Sequence, residues 1–336
     1  MFDQYKRIRI GELAVALESE GGDAAYISHA HSDHASYGKK AEKIICSEET
    51  AVLIGSSKER LNLENAKLLD AGHMLGSTQL SAQVEGGKFV YTGDFKLEAG
   101  ITTKGAEMPK ECDYLLIEGT YGEPGAVFPK REEVFAQMQK WVMQNKEKTI
   151  VFGAYETGKA QEMIGFLNKY CGVAPVVSKK IDDVCKIYGK FGVKLERVRA
   201  GTHEAEEMCM GGGFTAVLPV REANEGLCRK LSGVYGKEAL CALATGWGYK
   251  RSFSAGKVFC LSDHADFNGI IEYVNGANPK KIYCTHGNEK TLARELRARG
   301  FDAAPLVKKE EGGVQTTLEM APKGVAVQCS AQCGQR

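Results

Sequence analysis

The stretch I-S-H-A-H-S-D-H-A-S-Y-G, residues 27–38, places three histidines and an aspartate within six positions. The whole chain of 336 residues has seven histidines: His29, His31, His34, His73, His203, His264 and His286. Such a concentration fits a surface turn or a metal site, and the rest of the sequence separates the two. Three of the isolated histidines lie among small residues, in D-A-G-H-M-L-G-S (70–77), S-D-H-A-D (262–266) and C-T-H-G (284–287). Glycine or alanine beside a ligand lets backbone and metal approach closely. His203, in G-T-H-E-A-E-E, sits in an acidic segment and reads as a bystander.

Short apolar runs recur, each ending in small or polar residues: 24–29, 88–94, 114–120, 149–155, 215–220, 257–264 and 281–287. Each has the length and composition of a buried strand. Amphipathic helices are expected over 131–144, with Val134, Phe135, Met138, Trp141 and Val142 on one face, and over 160–170 and 268–275. The class is α/β. His29, Asp94, Glu118, His264 and His286 all fall at or just past the carboxyl end of a predicted strand. Ligands collect at that edge in layered α/β folds, because strand ends hold side chains rigidly while loops vary.

Imidazoles and carboxylates without cysteine suit a borderline cation, Zn²⁺ or alternatively Mn²⁺. His29 and His31 can face one ion, Asp33 and His34 a second, and Asp94 can bridge them. Such a pair serves hydrolysis of a phosphodiester or an acyl bond. The donor set alone does not choose between those substrates.

The composition is that of an ordinary globular protein, 43% hydrophobic and 26% charged. Net charge is +1, which does not announce a nucleic-acid binder, so any polyanion site is local. There is no apolar signal core at the start and no apolar run of membrane length, and a cytoplasmic location is expected. The eleven cysteines are scattered, odd in number and form no C-x-x-C, as for reduced buried thiols. Cys329 and Cys333 lie in a polar tail, read as a frayed terminus, with a tail metal site or a disulfide as the alternative.

H-A-H-S-D-H, then His73, then Asp94 in T-G-D, then His286, resembles the metallo-β-lactamase superfamily in the order of its metal motifs. D-Y-L-L-I-E-G-T-Y-G (113–122), L-S-D-H-A-D (261–266) and C-T-H-G (284–287) resemble the three further motifs of its β-CASP nucleases. The resemblance spans about residues 8 to 320. It implies an αββα sandwich with an inserted α/β cap: residues 1–122 as the first part of the catalytic domain, 123–250 as the cap, 251–325 as the return segment and 326–336 as a tail. It also implies two Zn²⁺ ions, with Mn²⁺ as the alternative. His29, His31 and His73 would hold one; Asp33, His34 and His286 the other; Asp94 would bridge. Asp33, His264 and Glu118 would be catalytic, Glu118 orienting His264, which contacts the scissile phosphate or protonates the leaving oxygen. A histidine held by a carboxylate is a usual general acid.

Residues 140–200 carry twelve Lys/Arg against six Asp/Glu. A basic cap over a metal cleft suits a nucleic-acid strand. E-T-G-K-A-Q (156–161), at a helix start, offers a phosphate seat through Lys159 and Gln161. A-T-G-W-G-Y-K-R (244–251) offers stacking and charge through Trp247 and Arg251. The expected activity is therefore a two-metal phosphodiesterase acting on single-stranded nucleic acid, RNA in preference to DNA. His286 in the third motif resembles the RNA-processing branch (mRNA 3′-end processing and RNase J-like enzymes), while S-D-H-A-D also resembles exonucleases associated with DNA ligase. A single-stranded DNA exonuclease is the first alternative and a small-molecule metallohydrolase the second. An inactive scaffold subunit would be expected to lack metal ligands, and every one is present. A homodimer is compatible with the sequence, but no diagnostic interface is visible.

Overall fold

Alternating apolar residues open the chain as an antiparallel pair, β1 (Arg7–Ile10) against β2 (Leu13–Leu17), with Ile8 and Ile10 buried between exposed or half-buried arginines. This is the first hairpin of a computed structural model that describes residues 6–250 and 256–306. Parallel strands β3 (Ala24–Tyr26), β4 (Lys43–Ile45) and β5 (Glu59–Arg60) complete a five-stranded sheet. The short helices α1 (Ser32–Ala35) and α2 (Glu48–Leu53) connect these strands.

A second sheet begins with β6 (Ala66–Asp70), β7 (Thr78–Val84), β8 (Gly87–Tyr91) and β9 (Tyr114–Gly119). The chain then leaves through α3 (Arg131–Gln144) and builds a third sheet from β10 (Thr149–Ala154), β11 (Val176–Val177), β12 (Val198–Arg199), β13 (Thr215–Pro219), β14 (Ala239–Ala244) and β15 (Lys257–Phe259). All its strand pairs are parallel. Every residue of β10 is buried, as expected of a central parallel strand covered on both faces. One face carries α3, α4 (Lys159–Phe166) and α5 (Lys179–Lys190); the other carries α6 (His203–Met210) and α7 (Glu225–Tyr235). After α8 (Phe267–Ala277) the chain returns to the second sheet as β16 (Lys281–Gly287), passes through α9 (Glu289–Ala298) and ends the described part at β17 (Ala303–Pro305).

The first two sheets face each other across a shared core in which Ile8, Leu17 and Tyr26 meet Leu80, Phe89, Tyr91 and Leu116. Outside the second sheet, α8 and α9 pack Ile270, Tyr273, Leu292 and Leu296 onto Val90, Leu115 and Ile282. The architecture is the expected αββα sandwich with an α/β insertion. The expected helix over 131–144 is present with its predicted face inward.

Two boundaries need correction. The run 257–264 is not one strand of the two-sheet sandwich: Lys257–Phe259 joins the edge of the third sheet beside β14. The cap sheet thus ends at Phe259 rather than near residue 250. The expected helix over 160–170 keeps α-geometry only to Phe166 and closes with a π-turn over Leu167–Cys171. Arg251, Cys329 and Cys333, and with them the expected tail, lie outside the described residues.

Candidate metal centre

Strands β8 and β9 run parallel, as do β9 and β16, so their carboxyl ends reach one edge of the second sheet. Asp94 follows β8, Glu118 lies near the end of β9, and His286 near the end of β16. From the facing sheet, the segment after β3 supplies His29 and His31 and helix α1 supplies His34. Ligand-type atoms of His29, His31, His73 and Asp94 lie within 4.8 Å of one another, as do those of His34, Asp94 and His286 and those of Asp94, Glu118 and His264. Asp94 belongs to all three groups. Gly93, at φ 55°, makes this approach fit, since a Cβ there would stand 2.5 Å from the Ser28 Cβ.

The hydrogen bonds assign the imidazole tautomers. His31 Nε2 lies 3.0 Å from the Thr157 carbonyl, and His73 Nδ1 lies 2.9 Å from the Asp263 carbonyl. A carbonyl only accepts, so each of these nitrogens carries the hydrogen. The Ser28 hydroxyl donates to Glu18 and so accepts from His29 Nδ1, 2.8 Å away. In the neutral rings, His29 Nε2, His31 Nδ1 and His73 Nε2 are then bare lone pairs. They point at one another across 3.0 Å and 3.2 Å. Burial holds all three rings below the ordinary histidine range, and for His73 the neighbouring His264 and His31 add to it. A proton is disfavoured there, and a metal cation satisfies all three lone pairs.

The second group has a different character. Burial disfavours charge on His34, but the Glu18 and Asp94 carboxylates outweigh it and hold the ring well above its usual range. His34 Nδ1 donates to Glu18 at 2.8 Å, and Nε2 lies 3.4 Å from Asp94 Oδ2. This place favours a cation. His286 adds a buried Nδ1 with no hydrogen-bond partner. Its backbone is left-handed, at φ 57°, where β16 shifts register against β9. A non-glycine residue there costs on the order of 1 kcal/mol, and such strain collects at functional sites. Asp33 stands at the rim, its side chain 79% exposed and 3.7 Å from His34 Nε2, and it joins no cluster among the described residues.

His264 Nδ1 lies 2.8 Å from Glu118 Oε1. Glu118 is itself fixed by the backbone N–H groups of Phe95 and Thr120. Burial works against charge on His264, but Glu118 and Asp94 push its pKa up to about 9.

Comparison with known proteins places this geometry. The family model of the Zn-dependent metallo-hydrolase RNA specificity domain matches residues 257–305, the stretch holding His264 and His286. Over 335 residues the chain is 26% identical to a probable DNA ligase of Opitutus terrae, covering 92% of this chain and 31% of that one. Over 204 residues it is 29% identical to an RNase J-like protein of Methanocaldococcus jannaschii, covering 50% of this chain and 47% of that one. These matches support a metallo-β-lactamase fold of the β-CASP nuclease type for this chain. The chain spans 31% and 47% of the lengths of these two curated relatives. A solved structure of a protein of unknown function from Enterococcus faecalis V583 has the same fold, with TM-score 0.56 at 12% identity over 85% of this chain and 80% of that one.

Within the β-CASP cap, two expected substrate contacts are corrected. Lys159 is 5% exposed; its ammonium donates to Leu261 O and pairs with Asp263, each at 2.9 Å. Gln161 is wholly buried and holds Gly158 N and Glu156 O. Both are committed to internal partners and offer no seat to a phosphate. Trp247 is half-buried against Tyr121, with ring centroids 4.9 Å apart, and Tyr121 in turn stands 5.9 Å from His264. Much of the cap's positive excess is paired locally, as in Lys180–Glu156, Lys186–Asp182 and Arg197–Asp182. His203 is exposed on α6, away from the centre. Glu18 escaped the sequence reading because it sits in an ordinary-looking L-E-S-E-G-G turn. Its one signal is position, just past the apolar strand Leu13–Leu17.

Proposed function

We propose that the chain is a metal-dependent nuclease that hydrolyses phosphodiester bonds in single-stranded RNA. The observation that carries the metal is the convergence of three imidazole lone pairs whose other nitrogens are each committed to an acceptor. In this reading His29, His31 and His73 hold one zinc ion, His34, His286 and Asp33 a second, and Asp94 faces both. Bound there, the ions supply Lewis-acid charge to the phosphate and activate water. Asp33, open at the rim, reaches the incoming water. Glu118 fixes the His264 ring by its Nδ1–H, which leaves Nε2 to deliver a proton to the leaving oxygen. The RNA assignment is supported by the RNA specificity domain match over the His264 and His286 segment and by the RNase J-like relative.

Single-stranded DNA is the second reading, favoured by the match of nearly the whole chain to a probable DNA ligase. Both are separated by end-labelled RNA and DNA of one sequence, incubated with zinc or manganese and with wild type beside His264→Ala. RNA cleavage by wild type, slowed about 10²–10⁴-fold in the variant, is the expected result. DNA cleavage alone replaces the substrate. Cleavage of neither polymer by zinc-loaded protein removes the nuclease reading.

A further inference from the structure

The two carbonyls that hold His31 and His73 come from segments joined by one buried ion pair. Thr157, whose carbonyl accepts from His31 Nε2, lies just ahead of cap helix α4. Asp263, whose carbonyl accepts from His73 Nδ1, lies in the segment that leaves the cap sheet for the core. Lys159, in the first turn of α4, reaches that segment with a buried ammonium that donates to Leu261 O and pairs with Asp263 Oδ1. Between Thr157 and Lys159, Gly158 takes φ 87°, with its amide held by Gln161 Oε1 at 2.7 Å. A Cβ at Gly158 would meet the Met74 Cβ at 3.3 Å and His31 Nε2 at 3.7 Å. The turn is therefore seated against a metal-site histidine by backbone that favours glycine.

We infer that this turn of the cap is a positioning device for the first metal position: Lys159 and Gly158 set the two carbonyls that fix the His31 and His73 tautomers. The inference rests on the metal-site reading proposed above. Outer partners of this kind are worth about 10–100-fold in metal affinity. The device is aimed at one of the two positions, since the His34 ring is oriented by Glu18 of the core rather than by a carbonyl of the cap. Lys159 and Gly158 are positioning residues; neither touches substrate.

The test is a zinc titration of the full chain against a competing chelator, with wild type, Lys159→Met and Gly158→Ala. Lys159→Met keeps the buried stem and deletes the ammonium. Gly158→Ala leaves every charge in place and displaces the Thr157 carbonyl. Wild type is expected to take up two ions. Each variant is expected to keep one tight ion and to bind the other about 10–100-fold more weakly, with unchanged circular dichroism. Two ions bound as tightly as in wild type by a folded variant would overturn the positioning role. So would an equal weakening of both ions, since a general loosening of the cap would produce it. If Lys159→Met does not fold, Gly158→Ala decides alone. Wild type that binds no zinc overturns the metal reading itself and the inference with it, an outcome visible before any variant is compared.

Discussion

Glu118 and Asp94 do different work on neighbouring charges, and each gives a separable outcome. Glu118 is what lifts His264 against its burial. A general acid must be protonated, so activity falls as pH rises through its pKa. Removing the carboxylate lowers that pKa. Glu118→Gln is thus expected to move the alkaline limb of the kcat/KM profile to lower pH, and an unmoved limb would assign that limb to another group. Asp94 sits in three of the four ligand clusters among the described residues, so Asp94→Ala is expected to lose or weaken both ions, measured as metal per chain after dialysis. Two retained ions would end its shared role. The histidines of this centre were readable from sequence because histidine is scarce and its spacing carries information. Glu18 was not, since one carboxylate after a strand has no signature. Lys159 was misread because lysine is so seldom buried that exposure is the default for it; only its partner Asp263, 104 positions away in sequence, explains its burial.

At the scale of elements, α3 and α4 grip the catalytic core through a second buried pair. Glu162 accepts from the N–H groups of Ile101 and Thr102, from the Thr102 hydroxyl and from Arg131. Breaking a buried pair by neutralising one partner costs about 3–5 kcal/mol, because the other charge is left behind. Glu162→Gln is expected to lower the unfolding free energy measured by denaturant titration by that amount, and a loss under 1 kcal/mol would show that water reaches Arg131. Helix α8 starts where it does because Asp266, the last residue of S-D-H-A-D, caps Gly269 N and also takes Phe128 N. The periodicity of 131–144 and the all-apolar run of β10 were legible, since each element's own sequence encodes its burial. The sheet to which Lys257–Phe259 belongs was not: an apolar run states that a strand is buried and says nothing of its neighbour.

For the whole molecule, a net charge near zero means that the proposed nucleic-acid binding would draw on a local field. With several cap lysines and arginines already paired, binding to a single strand is expected to show a shallow salt dependence. The slope of log K against log salt should correspond to about two to four released counterions rather than the full count of basic cap residues. A slope near ten would require those ion pairs to open on binding. The sandwich with its insertion was legible only through the family resemblance that the order of the motifs carries; the residues by themselves gave the α/β class.

The passage from the last cap strand to His264 is four residues long, Cys260 to Asp263. Fully stretched, four residues reach at most ~14 Å, and this tether is not stretched: it is fastened to Lys159 at Leu261 and Asp263. It works like a short connecting rod. A swing of the cap that drew it taut would have to break the Lys159 fastenings and would pull on the segment that seats His264 against Glu118. In the proposed reading, the placing of the acid and the placing of the cap are then one mechanical problem.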